Sequence, residues 1–226
     1  MSDREKILIL QLKKCYLLHR IPIVHSILLQ IYDPTFHRIY CFGHIINLAA
    51  QSFLFTAKDE DLQGEKSGIR IKATEAEIQA WRKKGPLGKP NNINIWINCT
   101  EQRLQTFLKC SKNHQIPRDN QTRWNLWQRQ IDKAINKEII EGIDLYLDAY
   151  GDSDVVSDRL DEEEWKSLGK INDMLSVLKE ATKSLEGPVV SLTKGLPAMD
   201  FILTKFEDGR AQYKNDTVMA PLYQAG

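Results

Sequence analysis

The stretch of residues 38–55 constrains the fold of this chain more than any other. A short run of β-branched and aromatic residues at 38–41 predicts a strand, and the apolar spacing that follows predicts a helix over residues 43–55. Cys41 and His44 stand at the junction of the two elements. A thiol and an imidazole between a strand and a helix lie where a site is expected on an α/β core, so they are the first site candidates.

Cys41 and His44 have the spacing of half a zinc site. A structural zinc ion needs four ligands, usually supplied as two Cys/His pairs at similar spacing. Cys99, Cys110 and His114 are isolated and offer no second pair. We therefore expect no metal here. The residues alone leave open whether Cys41 and His44 are a buried thiol and a core histidine or part of a binding site.

Helical signals extend over most of the chain. Residues 6–31 have helical apolar spacing that ends before Pro34. Thr74 and Glu77 have the spacing of a capping box that opens a helix, and Thr100 is placed to cap another. We therefore expect a chain that is mainly α, with one short strand.

Three longer helices are predicted in the second half. Apolar residues at steps of three and four predict one helix from residue 122 to a break at residues 151–154. Asp158 is expected to cap the next helix, so that the acidic run 158–164 is a solvated helix start. A last helix is expected over residues 191–208. The buried face of the middle helix should hold Trp165, Leu168, Ile171, Leu175, Leu178 and Leu185.

Composition fits a soluble globular protein. Of the 226 residues, 42% are hydrophobic and 27% are charged. The longest apolar stretch, residues 45–55, contains Asn47 and Gln51 and is far too short to span a bilayer. The four cysteines lack disulfide-scaffold spacing, which favours a reducing, intracellular compartment. We expect no membrane partner.

The net charge of +1 hides an asymmetry. Residues 1–130 carry 20 Lys and Arg against 11 Asp and Glu, whereas residues 131–226 carry 11 against 19. A basic surface attracts phosphate and an acidic surface repels it. Any nucleic acid should therefore contact the first half of the chain.

The densest basic cluster in that half is Arg82, Lys83, Lys84 and Lys89. Glycines at 85 and 88 permit tight turns, which bring side chains and backbone close to phosphate groups. The four residues are therefore phosphate-contact candidates. A solvated, lysine-rich helix end explains the same pattern, since cations also suit the helix dipole there.

Three blocks of sequence follow one another in a recognisable order. The first surrounds Cys41 and His44, the second runs from residue 81 to residue 97, and the third is the Arg-Asp-Asn-Gln-Thr-Arg-Trp-Asn block at 118–125. These blocks resemble those of the hAT superfamily of DNA transposases, in the form common in fungal elements. The likeness covers roughly residues 33–214, and the order and spacing of the blocks make it more specific than any single one.

The resemblance implies a truncated ribonuclease H-like α/β region that runs into the start of an inserted helical domain. It divides the chain into an N-terminal helical segment (1–32), a partial ribonuclease H-like region with the basic loop (33–130), and the acidic start of the inserted helical domain (131–226). It also implies a helix over residues 92–98. Isoleucines alternate with polar residues there, as in a half-buried strand, but we expect the helix.

In this family the Cys-His block and the Arg-Trp pair lie near the DNA. The resemblance therefore implies that Cys41, His44, Arg123 and Trp124 are close to DNA, with Trp124 stacked on a base extruded from the duplex. From the residues alone, Trp124 and Trp127 are explained as core residues that open an amphipathic helix. We expect Trp127 to lie in the core.

Transposases of this family cut DNA with two Mg²⁺ or Mn²⁺ ions held by an Asp, Asp, Glu triad. Asp119, Asp132 and the acidic run 158–164 match none of the three family positions. The resemblance thus implies a chain without the three catalytic acids, with no metal cofactor of its own and no catalytic residue.

We expect a transposase-derived protein that is catalytically inactive and keeps a weak, salt-dependent affinity for DNA. The resemblance implies a nuclear location and, as protein partners, an intact transposase or a second copy of the chain. The alternatives are a helical protein-interaction module and a decayed transposable-element fragment with no function. DNA affinity that falls steeply with salt favours the first, and a protein partner bound at high salt without DNA favours the module.

Overall fold

The computed structural model describes residues 42–55, 74–117, 124–185 and 192–225, and these residues are helical with no strand among them. The prediction of a mainly α chain is therefore confirmed. The strand predicted at 38–41 lies outside the described residues, as does the helix at 6–31. The helices are α1 Phe42–Leu54, α2 Glu75–Arg82, α3 Lys89–Ile97, α4 Glu101–Cys110, α5 Trp124–Ala134, α6 Lys137–Tyr150, α7 Ser153–Val156, α8 Glu162–Leu185, α9 Leu192–Gln212 and α10 Met219–Ala225, with a 3₁₀ turn at Gly85–Leu87.

Local hydrogen bonds start α2 and α4 where the sequence predicts them. The hydroxyl of Thr74 accepts the N–H of Glu77 at 3.3 Å, and the Glu77 carboxylate accepts the N–H of Thr74 at 2.9 Å. This is the predicted capping box. The hydroxyl of Thr100 accepts the N–H of Arg103 at 3.3 Å and caps α4. Both predictions are confirmed.

The alternation of isoleucine and asparagine in α3 does not come from a strand. Pro90 lies in the first turn of the helix, where its missing N–H has no intrahelical partner to lose. The side chains of Asn92 and Asn94 donate to the carbonyl oxygens of Ile78, at 2.9 Å, and Pro117, at 3.1 Å. The asparagines are buried and tie α3 to its neighbours, and the predicted helix is confirmed.

The single long helix predicted from residue 122 to residue 150 is wrong, because the chain breaks at Ile135 and Asn136. Asn136 has an extended backbone, with φ −67° and ψ 136°, and its side chain accepts the N–H two residues on at 2.9 Å. Asn136 therefore caps α6 as a new helix. The break turns the apolar stripe, so that Leu145 is 58% exposed while Tyr146 lies in the core.

The residue that caps α8 is Asp161, three residues later than the cap predicted at Asp158. Asp161 accepts the N–H of Glu164 at 2.8 Å, and the Glu164 carboxylate accepts the N–H of Asp161 at 3.1 Å. This reciprocal pair is the capping box of α8. The predicted buried face is confirmed in the structure, with Trp165 only partly buried: Leu168, Ile171, Leu175, Leu178 and Leu185.

α9 extends past its predicted end at residue 208, and α10 follows it without a counterpart in the sequence prediction. Gly209 lets the two helices meet. A Cβ at Gly209 would lie 2.1 Å from a ring carbon of Tyr223, so a larger residue would push α10 away. Tyr223 and Phe206 also pack edge-on at a centroid distance of 6.0 Å.

α8 is the central helix of the described residues. α1, α5, α9 and α10 pack on it, and so does the 3₁₀ turn, while α4 and α6 pair with each other and join through α3 and α5. The boundary predicted between residues 130 and 131 falls inside α5. Buried side chains from both sides of that boundary form one hydrophobic cluster. The two segments therefore share one core.

Candidate nucleic-acid interface

The four basic candidates lie in residues 82–89, which we call the basic segment and which form the turn between α2 and α3. Gly85 has a φ of +57°, in the left-handed region that glycine adopts without strain. A Cβ on Gly88 would lie 1.8 Å from the carbonyl oxygen of Trp81, so only glycine lets the turn close against α2. Two glycines thus place the basic side chains on one tight turn.

Arg82 is held by an acidic group from the second half of the chain. Its Nε and Nη2 donate to the two carboxylate oxygens of Asp158, each at 2.9 Å, and Nη2 also donates to the carbonyl oxygen of Asp154 at 2.8 Å. Asn92 donates a further hydrogen bond to Asp158 at 3.2 Å. The Asp158 side chain is 2% exposed. The hydrogen bond to Asp158 raises the pKa of Arg82, so the guanidinium stays charged and its planar fork is engaged within the protein.

Lys89 forms a second link between the same two regions. Its Nζ donates to the carboxylate oxygens of Glu164 at 2.6 and 2.7 Å and lies 3.5 Å from the carbonyl oxygen of Arg159. The Lys89 and Glu164 side chains are 19% and 20% exposed. This pair joins the start of α3 to the start of α8, and its carboxylate is partly exposed, whereas the carboxylate of Asp158 is buried.

The other two lysines of the basic segment differ from each other. The Nζ of Lys84 donates to the carbonyl oxygen of Leu54 at 3.4 Å and lies 5.2 Å from the centroid of the Phe55 ring. Lys83, the C-cap of α2, is exposed. Three of the four phosphate-contact candidates are thus engaged within the fold, and Lys83 is the most open to solvent.

An aromatic cluster supports the basic segment from α2. The rings of Trp81 and Trp127 lie 5.1 Å apart between centroids, and Phe55 packs edge-on against them at 6.2 and 5.4 Å. All three are buried. The prediction that Trp127 lies in the core is confirmed. Its indole N–H is buried and finds no acceptor among the described residues.

Two of the four residues that the resemblance places near DNA, Cys41 and Arg123, lie outside the described residues. His44 is exposed in the first turn of α1, and Trp124 opens α5. α1 and α5 pack against each other. Trp124 is only 5% exposed, so stacking on an extruded base would need the first turn of α5 to move aside.

The acidic run 158–164 combines two kinds of residue that the sequence does not separate. Glu162 and Glu163 are exposed and pair with Lys166 within one turn, as a solvated helix start should. The same prediction is wrong for Asp158 and Glu164, whose basic partners lie 76 and 75 residues earlier in the chain. No local pattern marks such pairs, and the only signal for them is the opposite charge of the two halves.

The acidic residues do not gather into a metal site in the part of the chain that the structure describes. No group of three or more His, Cys, Asp or Glu side chains there is placed to hold a metal ion. Among the same residues, no helix is long and apolar enough to cross a membrane.

Comparisons of the chain with protein-family models, with curated proteins and with solved structures find no match. The basic segment presents one open lysine, two cations paired with carboxylates and one cation against an aromatic ring.

Proposed function

We propose that this chain derives from a hAT-type transposase, does not cut DNA, and keeps a weak, salt-dependent affinity for nucleic acid. With this origin we also propose a finer fold assignment, in which the late part of a ribonuclease H-like region is followed by the start of an inserted helical domain. The same origin implies a nuclear location. The observation that carries the proposal is the basic segment. Glycines at 85 and 88 shape one turn that bears four cations, at the second of the three family-like blocks.

The state of those cations supports a weak affinity. Each lysine or arginine that neutralises a phosphate of duplex DNA adds about 0.9 to the slope of log affinity against log salt. Arg82 is paired with a buried carboxylate and Lys89 with a partly buried one, so Lys83 is the cation of the basic segment that meets a phosphate without breaking a contact seen in the structure. A shallow slope is the expected result.

The absence of cutting is supported by the sequence. The resembled family needs an Asp, Asp, Glu triad, and no acidic residue of this chain matches those positions. Asp158, the most buried carboxylate of the acidic run, is bonded to Arg82 and Asn92 rather than turned towards a substrate.

Duplex DNA binding and cleavage, measured on the same protein, test the proposal. Fluorescence anisotropy over a salt series should show an affinity that falls as salt rises, with a slope of about 1 to 2 in magnitude. Incubation with Mg²⁺ or Mn²⁺ should leave end-labelled DNA uncut. Metal-dependent nicking or hairpin formation above a tag-only control would contradict the inactive assignment, and absence of any DNA affinity at low salt would contradict the binding assignment.

A helical protein-interaction module is the second candidate, and one observation favours it. Residues 137–164 carry 11 Asp and Glu against two basic residues, and Leu145 and Tyr150 stand exposed among them. The acidic residues repel phosphate, and the two exposed apolar side chains offer a protein partner a contact that salt does not screen. Under this reading, Leu145→Ser should weaken a partner bound at high salt and leave DNA affinity unchanged.

A further inference from the structure

We propose that Glu164 is an autoinhibitory carboxylate, which occupies Lys89 where a phosphate oxygen of nucleic acid would otherwise bind. The inference rests on the proposed function and concerns the regulation of that same site. Its basis is the Lys89–Glu164 pair, in which both carboxylate oxygens lie within 2.7 Å of Nζ. A carboxylate and a phosphate offer the same feature to an ammonium group, two neighbouring anionic oxygens.

Glu164 is held in place independently of Lys89. Its Oε2 accepts the N–H of Asp161 at 3.1 Å, and its own N–H donates to the Asp161 carboxylate at 2.8 Å. The capping box keeps the Glu164 side chain at the start of α8, next to α3. A carboxylate fixed in this way competes with phosphate at every encounter, because no ordering entropy has to be lost to form the pair.

Exposure separates this pair from the Arg82–Asp158 pair. Asp158 is 2% exposed, so removing its partner leaves a buried charge unpaired. Glu164 is 20% exposed, so a phosphate can displace it and leave its carboxylate facing water. Lys89 is 19% exposed, so its ammonium group can exchange one anionic partner for another of the same kind at the solvent boundary. The Lys89–Glu164 pair therefore opens to nucleic acid, whereas the Arg82–Asp158 pair holds the fold.

The matched test compares the Glu164→Gln variant with the Glu163→Gln variant. Both changes remove one negative charge from the same helix turn, and a glutamine at position 164 still accepts the N–H of Asp161, so the capping box is kept. Glu163 is 82% exposed and pairs with Lys166, not with the basic segment. Thermal melting followed by circular dichroism confirms that both variants are folded as the parent.

Duplex DNA affinity over a salt series gives the readout. Glu164→Gln should steepen the salt slope by about 0.9, so that its gain in affinity over the parent is about 3-fold larger at about 50 mM than at about 200 mM salt. Glu163→Gln should leave the slope unchanged. Adding Lys89→Gln to Glu164→Gln should restore the parent slope, because the freed cation is then absent.

Lys89→Gln alone is a second, independent variant. With Glu164 in place, Lys89 contributes no phosphate contact, so this change should leave the parent slope as it is. A slope that falls by about 0.9 in Lys89→Gln would show that Lys89 already meets phosphate and would overturn the inference.

The failure of this inference is distinguishable from the failure of the proposed function. Equal affinity and slope for Glu164→Gln and Glu163→Gln, with a parent that binds DNA, would overturn the autoinhibitory role alone. Loss of DNA binding in the parent and in every variant would overturn both. Binding by Glu164→Gln with none by the parent would support the inference in its strongest form.

Discussion

At the scale of single residues, Asp158 is the group whose surroundings matter most. Its carboxylate is removed from water and is stabilised by two hydrogen bonds from Arg82 and one from Asn92. A buried ion pair adds little over a well-packed apolar pair, but loss of one partner leaves an uncompensated charge in the core. Arg82 of the basic segment therefore stabilises the fold, whether or not the segment binds a ligand.

Arg82→Ala should lower the free energy of unfolding by about 3–5 kcal/mol, because Asp158 would remain buried without its cation. Lys83→Ala is the matched control, since the neighbouring lysine is exposed and a surface change of this kind stays within about 0.5 kcal/mol. Urea unfolding followed by tryptophan fluorescence measures both. Equal stabilities for the two variants would show that the Arg82–Asp158 pair does not hold the basic segment.

Because Arg82 stabilises the fold, substituting it is not a clean test of the proposed binding site. Removing Arg82 together with Lys83 and Lys84 would combine a loss of charge with a loss of fold, so reduced DNA binding would have two explanations. Lys83 is the residue of the basic segment whose substitution changes charge with the least change in packing.

Residue-scale contacts divide into those that sequence predicts and those that it does not. The capping contacts of Thr74 and Thr100 join residues three apart, and residue type with spacing is enough to predict them. The contacts of Asp158 and Glu164 join residues 76 and 75 apart, and they depend on how α8 packs beside the 3₁₀ turn. Periodicity along one helix carries no information about that packing.

At the scale of elements, the crossing of α4 with α6 depends on a glycine. A Cβ added to Gly142 would lie 2.7 Å from the Cα of Ser111, at the end of α4. The two helices approach this closely only because position 142 has no side chain. Gly169 of α8 is different, because a Cβ there would meet nothing within 4 Å.

Gly142→Ala should therefore destabilise the fold by about 1–3 kcal/mol, as overpacking of a tight contact does. Gly169→Ala is the matched change in an open helix position, and it should stabilise by about 0.5–1 kcal/mol through the better helix propensity of alanine. Urea unfolding of both variants provides the comparison. Stabilisation by Gly142→Ala would mean that α4 and α6 do not cross as described.

The boundary between α5 and α6 shows the limit of apolar periodicity. Ile131, Ile135 and Ile139 continue the helical spacing across the break, so the pattern predicts one helix. Asn136 ends it, because its side chain satisfies a backbone N–H of the next helix that would otherwise have no partner. A single asparagine within an apolar stripe is a weak signal, and tertiary packing on both sides of the break decides its effect.

The pair Asp216–Lys170 ties α8 to the start of α10 and gives the fold a pH dependence. The Nζ of Lys170 donates to Asp216 at 2.8 Å, and the backbone N–H groups of Met219 and Val218 donate to the same carboxylate. The hydrogen bond from Lys170, followed by that from Met219, lowers the pKa of Asp216. The Asp216 carboxyl therefore holds its proton less tightly in the folded state than in the unfolded state, where the pKa of an aspartate is about 3.9.

The stabilisation from Asp216 should be fully present above pH about 4 and lost as the pH falls through the lowered folded value. Asp216→Asn keeps an oxygen that accepts the backbone N–H groups and removes only the charge. Relative to the parent, the variant should be less stable at neutral pH, and the difference should narrow below pH about 4. Urea unfolding from pH 7 to pH 3 is the measurement, and a difference that stays constant over this range would contradict the assignment.

At the scale of the whole molecule, basic residues of the first half and acidic residues of the second half contact each other instead of forming two separate charged surfaces. The cations of α2 and α3 contact carboxylates just before and within α8, over a core shared by helices from both segments. The charge asymmetry along the sequence is thus partly neutralised in the fold, and the basic segment has less free charge than its composition indicates. This partial neutralisation is the reason why the proposed affinity for nucleic acid is expected to be weak.

We expect the proposed affinity for nucleic acid to reside in the basic segment, and the salt dependence of DNA binding is the measurement that distinguishes this segment from other basic surfaces. Lys83→Ala and Lys109→Ala each remove one exposed lysine from the basic half, the first in the basic segment and the second at the end of α4. We expect Lys83→Ala to reduce the slope of log affinity against log salt by about 0.9 and Lys109→Ala to leave it unchanged. Equal slopes for the parent and Lys83→Ala, or a larger loss from Lys109→Ala, would contradict it.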